Sequence, residues 1–218
     1  NLLCFNKQRR STLAALAASG AQVAVLIEVL PSDEATLRGD PRWPHQSWHH
    51  DPDWNGSAIL STHPLDQVAV VDPRHAALVT ATLTIAGRPL LLIAVHPFAP
   101  ESSAHTRERN AQCARLARMV ASDPRPVVVA GDFNLTVGNP AWHDLRRDAG
   151  LLRCRGAAPA TYPAWLGSLG IAIDHVLVRG LALRSLAAVH LPGSDHRGVL
   201  AEVVVPAERN PGLGLEPS

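Results

Sequence analysis

Short apolar runs, separated by turn-forming residues, alternate along the chain with a few amphipathic stretches. Apolar side chains that recur at i, i+3, i+4 and i+7 predict helices, and apolar runs rich in β-branched residues predict buried strands. The predicted helices are residues 11–19, residues 102–122 and Pro140–Ala149. The predicted strands are residues 22–29, Ser57–Ser61, residues 67–71, Leu78–Ile85, and residues 89–96, 127–130, 172–178, 183–190 and 198–205.

Strands outnumber helices in this pattern, and they both precede and follow the long helix. The short connection Ala86-Gly87-Arg88 predicts a hairpin between the two strands that it joins. This order favours an α/β fold with two packed mixed β-sheets flanked by helices, a four-layered α/β sandwich, over a simple doubly wound sheet. We expect one domain at residues 1–205 and a disordered Pro-, Gly- and Glu-rich tail at residues 206–218.

Residues 31–55 show no clear period, and we interpret them as a loop at the rim of a cleft. The loop carries Trp43, Trp48 and Trp54, for which two explanations stand equal. Tryptophan rings are favoured at a membrane interface, and they also serve to pack a loop against its domain. Stability and activity after alanine substitution would separate the two.

Composition and charge restrict the possible partners. The 218 residues are 46% hydrophobic and 18% charged, which is enough apolar material for one large core. The formal net charge is +1 and Lys7 is the only lysine, so the concentrated basic track of a protein that grips long duplex DNA is not visible. The three cysteines lie far apart and match no metal-binding spacing, so we interpret them as buried or idle thiols.

Polar side chains stand repeatedly where an apolar strand begins or ends. They are Glu28, His96, Asp132, Asn134, Asp174, Asp195 and His196. A charged group beside an apolar strand is costly to bury unless it is paired or bound to a metal. Taken singly, each residue has an ordinary explanation, as an exposed strand end, a turn residue or a hydrogen-bonded histidine. The recurrence of the pattern favours one shared site, because strand ends mount functional groups on a rigid scaffold.

The ordered set resembles the endonuclease/exonuclease/phosphatase superfamily, which includes DNase I-like nucleases, inositol polyphosphate phosphatases and neutral sphingomyelinases. The segments that carry the resemblance are LIEV at residues 26–29, AVH at 94–96, GDFN at 131–134, IDHVLV at 173–178 and SDHRGV at 194–199. They occur in family order, and GDFN followed by IDH and SDH is highly specific. The resemblance spans residues 1–205 and implies the DNase I-like form of the four-layered sandwich.

By this resemblance, the metal ligands are Glu28, Asp195 and Asn1, whose oxygen atoms suit Mg²⁺ or Mn²⁺. The family has an asparagine just after its first strand, and the spacing to Glu28 favours Asn1 over Asn6 for that position. Asn6 would then lie on the following loop as a substrate-binding residue.

The catalytic residues that the resemblance implies are His96, Asp132, Asn134, Asp174 and His196. His196 would act as general base or phosphate ligand, with Asp174 fixing its orientation. Asp132 would orient or deprotonate water, and Asn134 would donate to a phosphoryl oxygen from the same side of an extended segment. His96 would contact the phosphate or protonate the leaving group.

The sequence therefore predicts a divalent-metal-dependent hydrolase of phosphate esters or anhydrides. We favour a lipid or small phosphorylated substrate, with a nuclease acting on DNA or RNA as the alternative and a catalytically inactive binding module as a third hypothesis. The resemblance is nearest to bacterial members that follow N-terminal membrane helices. Since Asn1 stands in an apolar run, as if a strand had been cut, we expect a fragment of a longer protein. The resemblance implies that this protein is membrane-tethered and extracytoplasmic, with an upstream anchor, and we expect it to act as a monomer.

Overall fold

The computed structural model describes residues 1–51, 56–71 and 78–206. Its helices are α1 (Arg9–Ala18), α2 (Pro31–Leu37), α3 (Ser103–Ser122) and α4 (Pro140–Ala149), with a 3₁₀ segment at Ala164–Leu169. Its strands are β1 (Val23–Ile27), β2 (His45–His49), β3 (Ser57–Ser61), β4 (Leu65–Val71), β5 (Leu78–Ile85), β6 (Arg88–Val95), β7 (Val127–Asp132), β8 (Asp174–Arg179), β9 (Ala182–Val189) and β10 (Gly198–Val204). Every helix and strand that the sequence predicts is therefore present, with ends displaced by no more than two residues.

Side-chain caps fix the starts of the two helices that follow loops. The Ser102 hydroxyl accepts a hydrogen bond from the His105 N–H at 3.0 Å ahead of α3. The Asn139 side-chain oxygen accepts one from the Ala141 N–H at 3.0 Å ahead of α4. These bonds satisfy backbone donors that have no partner within the helix. Gly150 ends α4 with a φ of 63°, a left-handed conformation that glycine adopts without a steric penalty.

One mixed sheet of five strands runs in the order β4-β5-β6-β7-β8, with β6 and β7 parallel and the other neighbours antiparallel. Ala86 and Gly87 join β5 to β6 and both have positive φ, as a tight two-residue turn requires, so the predicted hairpin is confirmed. β1, β3 and β2 form an antiparallel sheet of three strands, and β9 pairs with β10 alone.

The elements stack in four layers. β1 and β3 pack against β5 to β7, and the β9–β10 hairpin packs against β8. Ile59 and Leu92 are buried between these two layers of strands. α3 and α4 cover the other face of the five-stranded sheet with Leu116 and Trp142, while α1 covers β1 to β3 with Leu13. The predicted four-layered α/β sandwich is confirmed.

An apolar cleft of about 300 Å³ lies inside the sandwich. It is lined by Val25 of β1, Leu92 of β6, Val128 of β7 and Val203 of β10, and it reaches Asp174. β1 and β10 both line it, but they belong to different sheets. The cleft therefore has walls from the three-stranded sheet, the five-stranded sheet and the β9–β10 pair.

Residues 31–55 depart from their predicted form as a loop. They contain α2 and β2, and β2 pairs antiparallel with β3 from His45 opposite Ser61 to His49 opposite Ser57. The prediction failed because β2 carries polar residues that are all only partly buried, so no apolar alternation marks it. The segment is thus part of the fold's framework over its described residues.

The tryptophans of this segment separate into different environments. Trp43 is 1% exposed in the core beneath α1, and its indole N–H donates to the Ala21 carbonyl at 2.9 Å. Trp48 is partly buried against the same cluster. The membrane-interface explanation is therefore wrong for Trp43, which packs, and Trp54 lies outside the described residues.

No helix within residues 1–51, 56–71 and 78–206 is long and apolar enough to cross a membrane. The tail predicted at residues 206–218 lies, apart from Pro206, outside the residues that the structure describes. Its disorder stays a prediction.

Candidate active site

The predicted site residues lie at one edge of the five-stranded sheet. β6 and β7 run parallel, so His96 and Asp132 at their ends come to the same edge. β8 runs the opposite way and brings its first residue, Asp174, directly opposite Asp132. His196 precedes β10 and lies in hydrogen-bond contact with Asp174. Topology alone thus gathers these four residues.

Gly131 allows β6 and β7 to approach closely just before this edge. It has a φ of 145°, a conformation that residues with a side chain rarely adopt. A Cβ atom at this position would lie 2.0 Å from the Val95 carbonyl oxygen. Only glycine fits, and this explains why the GDFN segment begins with it.

His196 and Asp174 form a buried pair. His196 Nδ1 donates to Asp174 Oδ2 at 2.7 Å, and both side chains are less than 10% exposed. The backbone N–H of Asp174 in turn donates to the hydroxyl of Thr161 at 3.2 Å, and Thr161 is fully buried. Burial lowers the pKa of His196, but the hydrogen bond and charge of Asp174 and the charge of Asp132 outweigh it and raise the pKa overall.

Asp132 lies between two imidazole rings. Its Oδ2 atom is 3.6 Å from His196 Nε2 and 3.8 Å from His96 Nε2. Burial, together with the charge of Asp174, raises the pKa of the Asp132 carboxyl. His96 Nδ1 is buried and has no hydrogen-bond partner among the described residues. Three groups able to accept or donate protons therefore meet at one carboxylate oxygen.

Asn134 reaches the site in a different way from the one predicted. Its φ is 50°, so the segment after Asp132 is not extended and the predicted i, i+2 alignment is wrong. The Asn134 N–H donates to Asp132 Oδ1 at 2.9 Å, and the side-chain amide donates to the Pro97 carbonyl at 3.0 Å. Arg109 of α3 holds the Asn134 carbonyl at 2.9 Å. One N–H of the side-chain amide is left for another acceptor.

Glu28 and Asp132 are linked by Asn1, which donates hydrogen bonds to both carboxylates. Asn1 Nδ2 donates to Glu28 Oε1 at 2.7 Å and to Asp132 Oδ2 at 3.2 Å. The Cys4 N–H donates to Glu28 Oε2 at 2.9 Å. Burial alone would raise the pKa of Glu28, but the hydrogen bonds from Cys4 and Asn1 lower it overall, so the carboxyl is held ionised. Glu28 also has a φ of 59°, a sparsely populated conformation for a residue with a side chain.

Asp195 and Asn6 have contrasting environments. Asp195 Oδ1 is buried and has no hydrogen-bond partner in the described part of the chain. The Asn6 side chain instead donates to the Leu2 and Pro192 carbonyls and to Thr12, and accepts from the Gln8 N–H. These bonds tie together two loops, and the contact of Asn6 with substrate stays a prediction.

The donor set suits a hard divalent cation. Asp132, Asp174 and His196 each offer one ligand atom, and these atoms lie within 4.8 Å of one another. The His196–Asp174 hydrogen bond, however, already pairs two members of that group. Ionised Glu28 and the Asp195 oxygen without a partner are further oxygen donors of the type that Mg²⁺ and Mn²⁺ prefer.

Several residues besides the predicted ligands and catalytic residues support the site. Thr161 fixes Asp174, and the Tyr162 ring lies 4.9 Å from the His196 ring, centroid to centroid. Arg9 and Asp33 form a buried pair behind Glu28. These contacts join distant parts of the chain, so no local spacing reveals them. His175 Nε2 donates to the Leu135 carbonyl at 2.8 Å, away from the cluster.

Comparisons with known proteins agree with this architecture. A model of the Endonuclease/Exonuclease/phosphatase family matches residues 1–196. Comparison of the sequence with curated proteins found no match.

Solved structures share the fold at low sequence identity. D. rerio TDP2 complexed with a single-strand DNA product has a TM-score of 0.76 and 16% identity, covering 93% of this chain and 96% of that one. The endonuclease/exonuclease/phosphatase from Beutenbergia cavernae has a TM-score of 0.72 and 20% identity, covering 89% and 65%. Beta toxin from Staphylococcus aureus has a TM-score of 0.65 and 14% identity, covering 89% and 91%. At these identities the likeness concerns the fold alone.

Proposed function

We propose that this chain, which belongs to the endonuclease/exonuclease/phosphatase family, hydrolyses phosphate esters or anhydrides with the help of a divalent metal ion. The observation that carries the proposal is the chain of contacts from Asp174 through His196 to Asp132 and His96. Asp174 lies 2.7 Å from His196, and Asp132 lies within 4 Å of both imidazole rings. Buried carboxylates and imidazoles at these distances are suited to general acid and base catalysis.

Proton transfer follows from the tautomer of His196. With Nδ1 donating to Asp174, the Nε2 atom is left to take a proton from an attacking water. Asp132, 3.6 Å from Nε2, orients that water or accepts its proton. His96, on the other side of Asp132, contacts the phosphate or protonates the leaving oxygen. Asn134 has a free amide N–H for a phosphoryl oxygen.

Glu28, Asp195 and Asn1 would hold the Mg²⁺ or Mn²⁺ ion. Bound there, the cation would offset the negative charge of the phosphate in the transition state. Support comes from the ionised state of Glu28 and the unpartnered oxygen of Asp195. Asn1 Nδ2 donates to both Glu28 and Asp132, so Asn1 and Glu28 lie beside the proton-transfer residues. This proximity argues against a catalytically inactive binding module.

Glu28→Gln tests the metal assignment, with Glu202→Gln as the matched control at an exposed ion pair. The amide keeps the shape of Glu28 but removes the charge that a hard cation needs. We expect Mn²⁺ binding, measured by calorimetry, to weaken by about 100-fold in the Glu28 variant, with hydrolysis of a chromogenic phosphodiester falling in parallel. Glu202→Gln should leave both unchanged. Full activity of the wild type in excess EDTA would contradict the proposal.

Exposed apolar side chains near the site favour an amphipathic or membrane-presented phosphate substrate. Trp165 is 80% exposed and Leu169 is 83% exposed, both in the segment that begins after Tyr162. Phe5, 70% exposed, directly follows Cys4, whose N–H binds Glu28. Large apolar groups at the mouth of a site mark contact with an apolar partner. The single lysine also disfavours long duplex DNA.

Trp165→Ser combined with Leu169→Ser tests this preference, with Val68→Ser on β4 as an exposed control. We expect the double variant to lose turnover of a phosphorylated lipid in anionic vesicles while hydrolysing a small soluble phosphodiester at the wild-type rate. The alternative is a nuclease, favoured by the likeness to TDP2 with its DNA product, in which aromatic side chains stack on bases. Efficient cleavage of DNA or RNA with no turnover of lipid or small phosphates would establish that alternative.

A further inference from the structure

Arg9 makes an unusually complete set of hydrogen bonds just behind Glu28. Its Nε and Nη2 atoms donate to the two oxygens of Asp33 at 2.7 and 2.6 Å. Nη1 donates to the Leu2 carbonyl at 2.9 Å and to the Leu3 carbonyl at 2.7 Å, and Nη2 donates to the Glu28 carbonyl at 2.7 Å. A guanidinium group carries five N–H donors in a fixed plane, and each has an acceptor here.

Asp33 fixes the orientation of this guanidinium. The carboxylate is 1% exposed and also accepts the Leu30 N–H at 2.7 Å, which caps the start of α2. The planar fork of an arginine against both oxygens of a carboxylate has one preferred geometry. Arg9 therefore connects α2 to the two backbone segments that meet at the metal side of the site.

Those two segments carry Asn1 and Glu28. Leu2 donates from its N–H to the Ile27 carbonyl at 2.9 Å, so the segments lie side by side. Glu28 adopts a left-handed backbone conformation that other residues must hold in place. The three carbonyls that Arg9 gathers belong to residues adjacent to Asn1 and to Glu28 itself. None of these bonds uses the side-chain oxygens proposed as metal ligands.

We propose that Arg9, oriented by Asp33, is the positioning residue that holds Asn1 and Glu28 at the spacing needed for the divalent cation. This inference rests on the proposed function, because it assumes that Glu28 is a ligand. Without the guanidinium, the Glu28 backbone would relax toward more populated conformations, and the two ligand groups would separate. A site that must be assembled at the moment of binding has a lower affinity than one already formed.

Arg179 supplies a matched control, since its guanidinium also donates to three carbonyls, those of Val120, Asp123 and Arg125. It stands at the far end of β8 from Asp174. Arg9→Lys and Arg179→Lys each replace a planar fork by a single ammonium. We expect Arg9→Lys to weaken Mn²⁺ binding by about 10- to 100-fold, as changes behind metal ligands do. Arg179→Lys should lower the thermal unfolding temperature but leave Mn²⁺ affinity unchanged.

Calorimetric Mn²⁺ binding is the decisive measurement, and unfolding in EDTA reports stability separately. Should Arg9→Lys fail to fold, Asp33→Asn replaces it, because the amide retains the shape and one acceptor; we expect weaker Mn²⁺ binding there too. The role of Arg9 would be overturned, and the proposed function left intact, if the variant that folds bound Mn²⁺ as tightly as the wild type.

The same would follow if Arg179→Lys weakened Mn²⁺ binding as much as Arg9→Lys does, or if Glu28→Gln were the only variant to lose binding. A wild-type protein that binds no Mn²⁺ would overturn both the role of Arg9 and the proposed function.

Discussion

The two ends of the β7–β8 pair carry polar clusters that differ in how completely their side chains are hydrogen-bonded. Asp132 faces Asp174 at one end, and Val127 faces Arg179 at the other. At the Arg179 end, Arg125 binds the Asp123 carboxylate at 2.6 Å and the Thr82 hydroxyl at 2.7 Å. Every charged side chain named there has its partners, and the cluster fastens the end of α3 to the sheet.

At the Asp174 end, hydrogen bonding among the buried polar groups is incomplete. His96 Nδ1 and Asp195 Oδ1 are buried without hydrogen-bond partners among the described residues. A buried polar atom without a hydrogen-bond partner is rare in a folded protein, and a catalytic role is one of the reasons that such an atom persists. The charged side chains at the Arg179 end thus have partners, whereas the Asp174 end keeps buried polar atoms without partners among the described residues.

A substitution at the Asp174 end should have the strongest effect on activity. Asp174→Asn removes the acceptor that orients His196, so the ring loses its tautomer and its raised pKa. We expect turnover of a chromogenic phosphodiester to fall by about 10³-fold. Asp123→Asn is the matched control at the other end, where we expect turnover to be unchanged and the unfolding temperature to fall. Similar turnover in the two variants would remove the distinction drawn between the clusters.

The pH dependence of the rate sharpens the same distinction by a smaller effect. Burial opposes protonation of His196, but the hydrogen bond and charge of Asp174 and the charge of Asp132 raise its pKa overall. The neutral ring, which accepts the proton, then exists only above that raised pKa, so the rate should fall as pH drops through it. In Asp174→Asn the raising influence is lost, and the acid limb of the remaining activity should move to lower pH. A limb that stays in place would assign the titration to another group.

The sequence predicted most of the strands because they are buried on both faces. Ile93 and Val129 of β6 and β7 are fully buried, and such strands appear as continuous apolar runs. The segment that forms α2 and β2 escaped prediction for the opposite reason. Its helix has seven residues, and its strand exposes part of every side chain. Trp43 is buried there by neighbours far along the chain, a contact that no local pattern contains.

The site was predictable only as far as its residues follow strands. Asp132 and His196 belong to short motifs, and the order of these motifs along the chain predicts that the two residues share a site. The supports of the site are different, because Arg9 meets Asp33 across 24 positions and Thr161 meets Asp174 across 13. The spacing of neither pair along the sequence shows that its residues meet, so each residue could equally be a solvated surface residue. The left-handed conformation of Asn134 is likewise set by tertiary bonds to Pro97 and Arg109, which override the extended form expected from the strand.

A substitution in the Arg125–Asp123 pair should have a weaker effect, and on stability alone. The hydrogen bonds from Arg125 lower the pKa of Asp123, so the pair stabilises the fold at neutral pH and loses this contribution as pH falls through the lowered pKa of Asp123. We expect Arg125→Met to reduce the free energy of unfolding by about 1 kcal/mol at pH 7, because the pair is partly exposed and screened by solvent. Urea titrations at pH 7 and near pH 3 measure the difference, which should shrink at the lower pH while hydrolytic activity at pH 7 stays at the wild-type level. A loss of stability that is equal at both pH values would show that Arg125 acts through its bond to Thr82 and its packing, and not through the charge of Asp123.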